Sequence, residues 1–140
     1  WDFVYKPHPF MASRVPWDLA FTVVRKCNFN ELLDMADVVV TAVSSTNYSA
    51  LLRGRPCVTV GYNQMRGKGC AYEAKKRSEI PTLISAAIRD GFTPDMQAAF
   101  RKHIAQMLNY ALYDDLNVRQ LRYGRTSQQA AEYLREVAGC

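Results

Sequence analysis

His8 stands between Pro7 and Pro9, and two prolines restrict the backbone on either side of one imidazole. A ring held in that way can donate to a phosphate oxygen or protonate a departing phosphate; the same dipeptide also serves as a structural histidine at a tight turn. Ser44, Ser45 and Thr46 form a second group. Three hydroxyls at a strand-to-helix junction can meet backbone N–H groups around an anion at the positive end of the helix dipole. The competing reading is that one serine merely caps the helix. Glu31 is open in the same manner, as the distal member of a capping box or as a ligand-binding carboxylate. Arg66, Lys68 and Arg77 could touch an anionic ligand, but solvated charge is the default for such side chains. Asp37 reads as a helix-to-strand turn residue, and His103, beside Arg101 and Lys102, as a surface histidine.

The elements that must position these residues follow from pattern. Phe3 to Tyr5 is an aromatic and β-branched run stopped by Lys6-Pro7-His8-Pro9, so a strand is expected to end there. A loop from Phe10 to Leu19 leads to a short strand over Phe21 to Val24. Asn28 with Glu31 predicts a capped short helix through Ala36. Val38 to Val43 is the strongest strand signal, a continuous run of the type buried on both faces of a parallel sheet. A helix through Ala50-Leu51-Leu52, closed by Gly54 and Pro56, precedes a strand over Cys57 to Val60. Alternation of this kind predicts a parallel sheet with crossover helices.

Tyr62 to Arg77 has no apolar period and is read as a long mobile loop beside the strand ends. Helices are then expected over Pro81 to Arg89, ended by Gly91, and from Pro94 behind a Thr93 cap. The second of these carries Phe100, Ile104, Met107, Leu108, Ala111 and Leu112 on one face. A last helix begins near Thr126 and uses Ala130, Leu134 and Val137. In an open parallel sheet ligands gather outside the carboxyl ends of the strands. Lys6 to Pro9, Ser44 to Thr46 and the chain from Gly61 onward are all expected there, and that convergence is the central expectation.

With 140 residues, 49% of them hydrophobic and 22% charged, the chain fits one globular domain and not a disordered segment. No apolar run reaches the roughly 18 to 20 residues of a membrane span, and no signal-peptide pattern opens it. A soluble cytoplasmic protein is expected. Cys27, Cys57, Cys70 and Cys140 are scattered without metal-ligand spacing, so free thiols and no metal are expected. A net charge of +5 and a pI near 9.1 favour anionic partners: nucleotide phosphates, nucleic acid or anionic lipid headgroups. The charges are dispersed apart from Lys75-Lys76-Arg77 with Arg66 and Lys68, which argues against a nucleic-acid surface. Because a strand already begins at Trp1, a fragment of a longer protein is expected.

Read together, Tyr5-Lys6-Pro7-His8-Pro9, Asn28-Phe29-Asn30-Glu31-Leu32-Leu33, Ala36-Asp37-Val38-Val39-Val40-Thr41, Ser44-Ser45 and Ala50-Leu51-Leu52-Arg53-Gly54-Arg55-Pro56 resemble the capsule polysaccharide biosynthesis family, which includes Kdo transferases. The histidine-proline and paired-serine motifs are also similar to those of bacterial sialyltransferases. The resemblance covers roughly residues 3 to 73. Thr46-Asn47-Tyr48-Ser49 and Met65-Arg66 depart from the pattern. It implies one half of a GT-B fold: a Rossmann-like parallel sheet of about four strands with C-terminal helices, the α/β part spanning 1–78 and the helical part 79–140. The acceptor-binding N-terminal domain would be missing, leaving this chain inactive alone.

The resemblance further implies a nucleotide-sugar donor, with a CMP-activated acidic sugar such as Kdo preferred over UDP- or GDP-linked sugars or a polyol phosphate. The acceptor would be a polysaccharide or glycolipid, with peripheral association at the inner face of the cell membrane and no metal or other cofactor. By the same resemblance His8 would contact and protonate the donor phosphate, Ser44 and Ser45 would bind its oxygens with Thr46 beside them, Lys6 would sit near the base, and Glu31 would accept from the ribose hydroxyls. From a different class altogether, a non-catalytic nucleotide- or nucleic-acid-binding module is the alternative.

Overall fold

The computed structural model describes residues 1–8 and 21–108. The chain divides into two compact units, residues 1–36 and 37–140. In the first, strands β1 (Val4–Tyr5) and β2 (Thr22–Val23) pair in parallel, Val4 opposite Thr22 and Tyr5 opposite Val23. Thr22 N–H donates to Phe3 O at 3.0 Å and Val24 N–H to Tyr5 O at 2.9 Å. Both strands are shorter than the aromatic runs that announced them. Parallel pairing needs a long connection, which residues 6–21 supply; the part of it from 9 to 20, including Pro9 and the expected loop, lies outside the described residues. Helix α1 (Phe29–Met35) starts where Asn28 caps it, the Asn28 side chain accepting from Asn30 N–H at 3.1 Å. Glu31 takes its hydrogen bond at 2.8 Å from the Asn28 side-chain amide, in place of the backbone donor of a capping box. Leu33 is the helix residue that becomes buried.

In the second unit the described order is β3 (Val39–Ala42), α2 (Thr46–Leu52), β4 (Cys57–Val60), β5 (Tyr72–Ala74), a 3₁₀ turn (Arg77–Glu79), α3 (Ile80–Asp90) and α4 (Pro94–Gln106). The sheet runs β3-β4-β5 and is parallel throughout. The protein is therefore α/β, with five described strands in two parallel sheets where about four in one sheet were expected. The added strand, β5, lies inside the segment read as a mobile loop. It is three residues long and contains Glu73 and Ala74, poor strand formers that pair because β4 offers a free edge.

Burial corrects a second expectation. β3 is an edge strand of its sheet, with Val40 and Ala42 exposed and Thr41 buried. The strand covered on both faces is β4, whose Cys57, Val58 and Thr59 are at most 1% exposed. Alternation along β4 explains the layers. Val58 packs with Ile84 and Ala87 of α3, flanked by Val38, Tyr72, Ile80 and Leu83, while the Cys57 face meets α2, Cys57 Sγ lying 3.8 Å from Asn47 O.

Helix ends follow their punctuation. After α2, Gly54 at φ +71° allows Arg55 N–H to reach Ala50 O at 2.9 Å and Gly54 N–H to reach Leu51 O at 3.0 Å, the Schellman arrangement. Thr93 caps α4 by accepting from Met96 N–H at 3.3 Å, with Pro94 following. Ala111, Leu112 and the helix expected from Thr126 lie outside the described residues. No described helix is long and apolar enough to cross a membrane.

Candidate functional site

Register brings two of the three expected groups to one rim. Ala42 is opposite Val60, so the chain leaving β3 (Val43 to Thr46) and the chain leaving β4 (Gly61 onward) emerge side by side at the carboxyl end of the sheet. A Cβ built on Gly61 would lie 4.0 Å from Val43 Cγ2. Lys6 and His8 follow the carboxyl end of β1 in the first unit, where Lys6 Nζ donates to Pro7 O at 3.3 Å. Pro7 is buried, whereas His8 and Glu31 are exposed.

The serines divide the two readings open to them. Ser44 Oγ accepts from Thr46 N–H at 3.2 Å and donates to Thr46 Oγ1 at 2.9 Å, so Ser44 carries the local turn. Ser45 occupies the cap position yet makes no side-chain cap bond, and it is exposed. Its hydroxyl is left unused by the cap at the rim. Immediately before them Val43 adopts φ 46°, a left-handed conformation that a β-branched residue enters only under strain; strain of this kind concentrates at binding sites. Beneath the rim, Thr41 Oγ1, Asn47 Oδ1 and Thr59 Oγ1 are buried without a hydrogen-bond partner among the described residues. Thr41 and Thr59 are register partners, so two of these atoms share one stripe of the sheet. Leaving such an atom unpaired costs about 1 to 3 kcal/mol. Asn47 had no signal in the sequence beyond its place in the first turn of α2.

The chain after β4 is pinned, contrary to its reading as a mobile loop. Met65 and Cys70 are fully buried. Asn63 Oδ1 accepts from Met65 N–H at 2.9 Å, and the Glu73 carboxylate accepts from Gly67 N–H at 2.8 and 3.0 Å. Tyr62 projects outward, 77% exposed, with the Arg66 guanidinium 5.7 Å from its ring centroid. Lys68 and Arg77 are exposed, as solvated charges.

A polar cluster behind this loop, buried at His103, escaped sequence reasoning. His103, expected at the surface, is 7% exposed. Tyr48 Oη lies 3.0 Å from His103 Nε2, 3.0 Å from Gln64 Oε1 and 3.2 Å from Met107 Sδ, and the two rings stack at 6.0 Å. The phenol has one proton to give. With the imidazole proton on Nε2, His103 donates to Tyr48 and Tyr48 donates to Gln64, which joins α2, α4 and the loop in one chain of bonds. The overlooked signal was spacing: His103 is three residues after Phe100 and four before Met107, on the apolar face, while Arg101 and Lys102 point to water.

Burial, reinforced by Lys68, pushes the His103 pKa below its ordinary 6.5, and burial with the nearby Cys70 pushes the Cys57 thiol from 9.0 up to about 12. In the unfolded chain His103 binds its proton first as pH falls, and Cys57 loses its proton first as pH rises. Stability is therefore expected to decline as pH drops through 6.5 toward the lowered folded value, and again as pH climbs from 9.0 toward about 12. Urea midpoints from pH 5 to 11 check this: His103→Gln should flatten the acid limb, and Cys57→Ala should make the alkaline limb shallower, with Cys70, Tyr48 and Tyr72, which burial also pushes upward, supplying the remainder. Among the described residues the cysteines are free and no cluster of metal-ligating side chains occurs.

No protein-family model, curated protein or solved structure matches the chain.

Proposed function

We propose that this chain is the donor-nucleotide-binding domain of a glycosyltransferase of bacterial capsule or surface polysaccharide synthesis, one Rossmann-like half of a GT-B enzyme. A CMP-activated acidic sugar such as Kdo is the preferred donor, and a polysaccharide or glycolipid the acceptor. The observation that supports this reading best is Ser45, an exposed residue whose hydroxyl the helix cap does not use, two residues after the strained Val43 at the carboxyl rim of a parallel sheet. An anion-binding role gives that hydroxyl and that strain a purpose; capping alone gives neither, because Ser44 already serves Thr46.

In this proposal Ser44 and Ser45 bind the donor phosphate with Thr46 beside them, and His8 donates to it as the nucleotide leaves. Lys6 lies near the base and Glu31 accepts from the ribose. The acceptor hydroxyl attacks the anomeric carbon while these donors stabilise the leaving nucleotide, the electrostatic share of catalysis. The base that activates the acceptor belongs to the other GT-B domain. Cytoplasmic location, peripheral at the membrane's inner face, fits such an enzyme.

Calorimetric titration of the chain with CMP, UDP and a short oligonucleotide tests the reading. CMP should bind saturably and the oligonucleotide should not. Oligonucleotide binding that collapses steeply with salt, without nucleotide binding, would transfer the protein to the nucleic-acid-binding class.

A further inference from the structure

We propose that Tyr62 is the platform on which the nucleobase of the bound nucleotide stacks, with Arg66 locking the ring from one side. This deepens the preceding section and rests on its reading of the rim as a nucleotide site. Three observations carry it. The first is location: Tyr62 follows Gly61, whose φ of +77° turns the chain out of β4 beside Val43 and the serines. Phosphate-binding hydroxyls and a flat aromatic face thus belong to one rim, and a nucleotide is the ligand class that pairs an anion with a planar ring.

The second is presentation. A ring on a slack loop would pay for ordering when a base binds. Here the backbone is held before any ligand arrives, by the buried Met65, by the Asn63 turn, by Glu73 on Gly67 N–H and by Tyr48 on Gln64. The third is electrostatics. Arg66 lies over the Tyr62 ring at 5.7 Å, a cation–π contact that restrains the ring while its charge stays at the rim to meet an anionic ligand. Stacking on an aromatic side chain is tolerant of base identity, so Tyr62 supplies affinity for a base without choosing among bases.

The test uses the intact protein with CMP, UMP and GMP, and with ribose 5-phosphate as a ligand that has no base. Tyr62→Leu should weaken nucleotide binding about tenfold, Tyr62→Phe should stay within about twofold of wild type, and ribose 5-phosphate should not distinguish the three. Ser45→Ala, run in parallel, reports on the phosphate reading independently. Should Ser45→Ala weaken nucleotide binding while Tyr62→Leu leaves it unchanged, the platform is overturned and the nucleotide site stands. Equal weakening of ribose 5-phosphate by Tyr62→Leu, or loss of binding in Tyr62→Phe, would also overturn stacking. A wild-type protein that binds none of the three nucleotides overturns both readings together.

Discussion

In the proposed two-domain transferase, transfer with donor limiting is expected to fall about 100- to 1,000-fold when His8 is replaced by alanine, the range for losing one positioned donor to a charge that develops in the transition state. The fold should survive, because His8 is exposed and stands outside any strand or helix. An unchanged urea midpoint beside the lowered rate would separate chemistry from collapse. Ser44→Ala is a less clean companion, since Ser44 Oγ accepts from Thr46 N–H at 3.2 Å and its removal costs the local turn about 1 kcal/mol. Ser45→Ala disturbs no cap bond and is the better partner. Near-wild-type turnover in His8→Ala would strip the imidazole of its assigned role.

What the sequence revealed was punctuation. Asn28, Gly54 with Pro56, Gly91, and Thr93 with Pro94 each act through their own backbone or the nearest turn, so their meaning did not depend on distant residues. Apolar patterning placed β3, β4, α3 and α4 for the same reason. The failures, His103 apart, were non-local. β5 forms because β4 has an edge to fill, a fact absent from Tyr72-Glu73-Ala74 themselves. The run from Val38 to Val43 has the composition of a doubly covered strand, yet edge position leaves Val40 and Ala42 exposed, and the strand with that burial is β4. Charged neighbours hid the environment of His103, although its helical spacing from Phe100 would have disclosed it.

The candidate site shows the same division. That Ser44 to Thr46 stand at a strand-to-helix junction was legible from residue types alone. Which serine caps and which remains available was not, because it turns on backbone angles: Ser45 is αR at φ −66°, ψ −10°, and the bond to Thr46 comes from Ser44 instead. The strain at Val43 was equally hidden, since valine is an ordinary residue for the end of a strand and only its φ of 46° makes it exceptional. The polar tie from Tyr48 to Gln64 joins residues far apart in the chain, so it too needed the fold.

Phe100→Ala should be the most destabilising of the single substitutions considered, by about 3 to 5 kcal/mol, a large share of the roughly 5 to 15 kcal/mol that holds a domain together. The ring is 5% exposed, meets Phe92 edge-on at 6.1 Å and lies tilted at 6.4 Å from Tyr48. Its removal takes away the apolar wall that α4 presents to α2 and leaves a cavity beside the phenol. Phe100→Leu keeps most of the volume and should cost much less. A denaturant series reads the stability change, and NMR titration of His103 reads its local cause. Water entering the space left by Phe100 would relieve the burial that depresses the imidazole, moving its pKa back toward 6.5. A Phe100→Ala protein that keeps the wild-type midpoint and the depressed His103 pKa would show that α4 owes its position to something other than this aromatic contact.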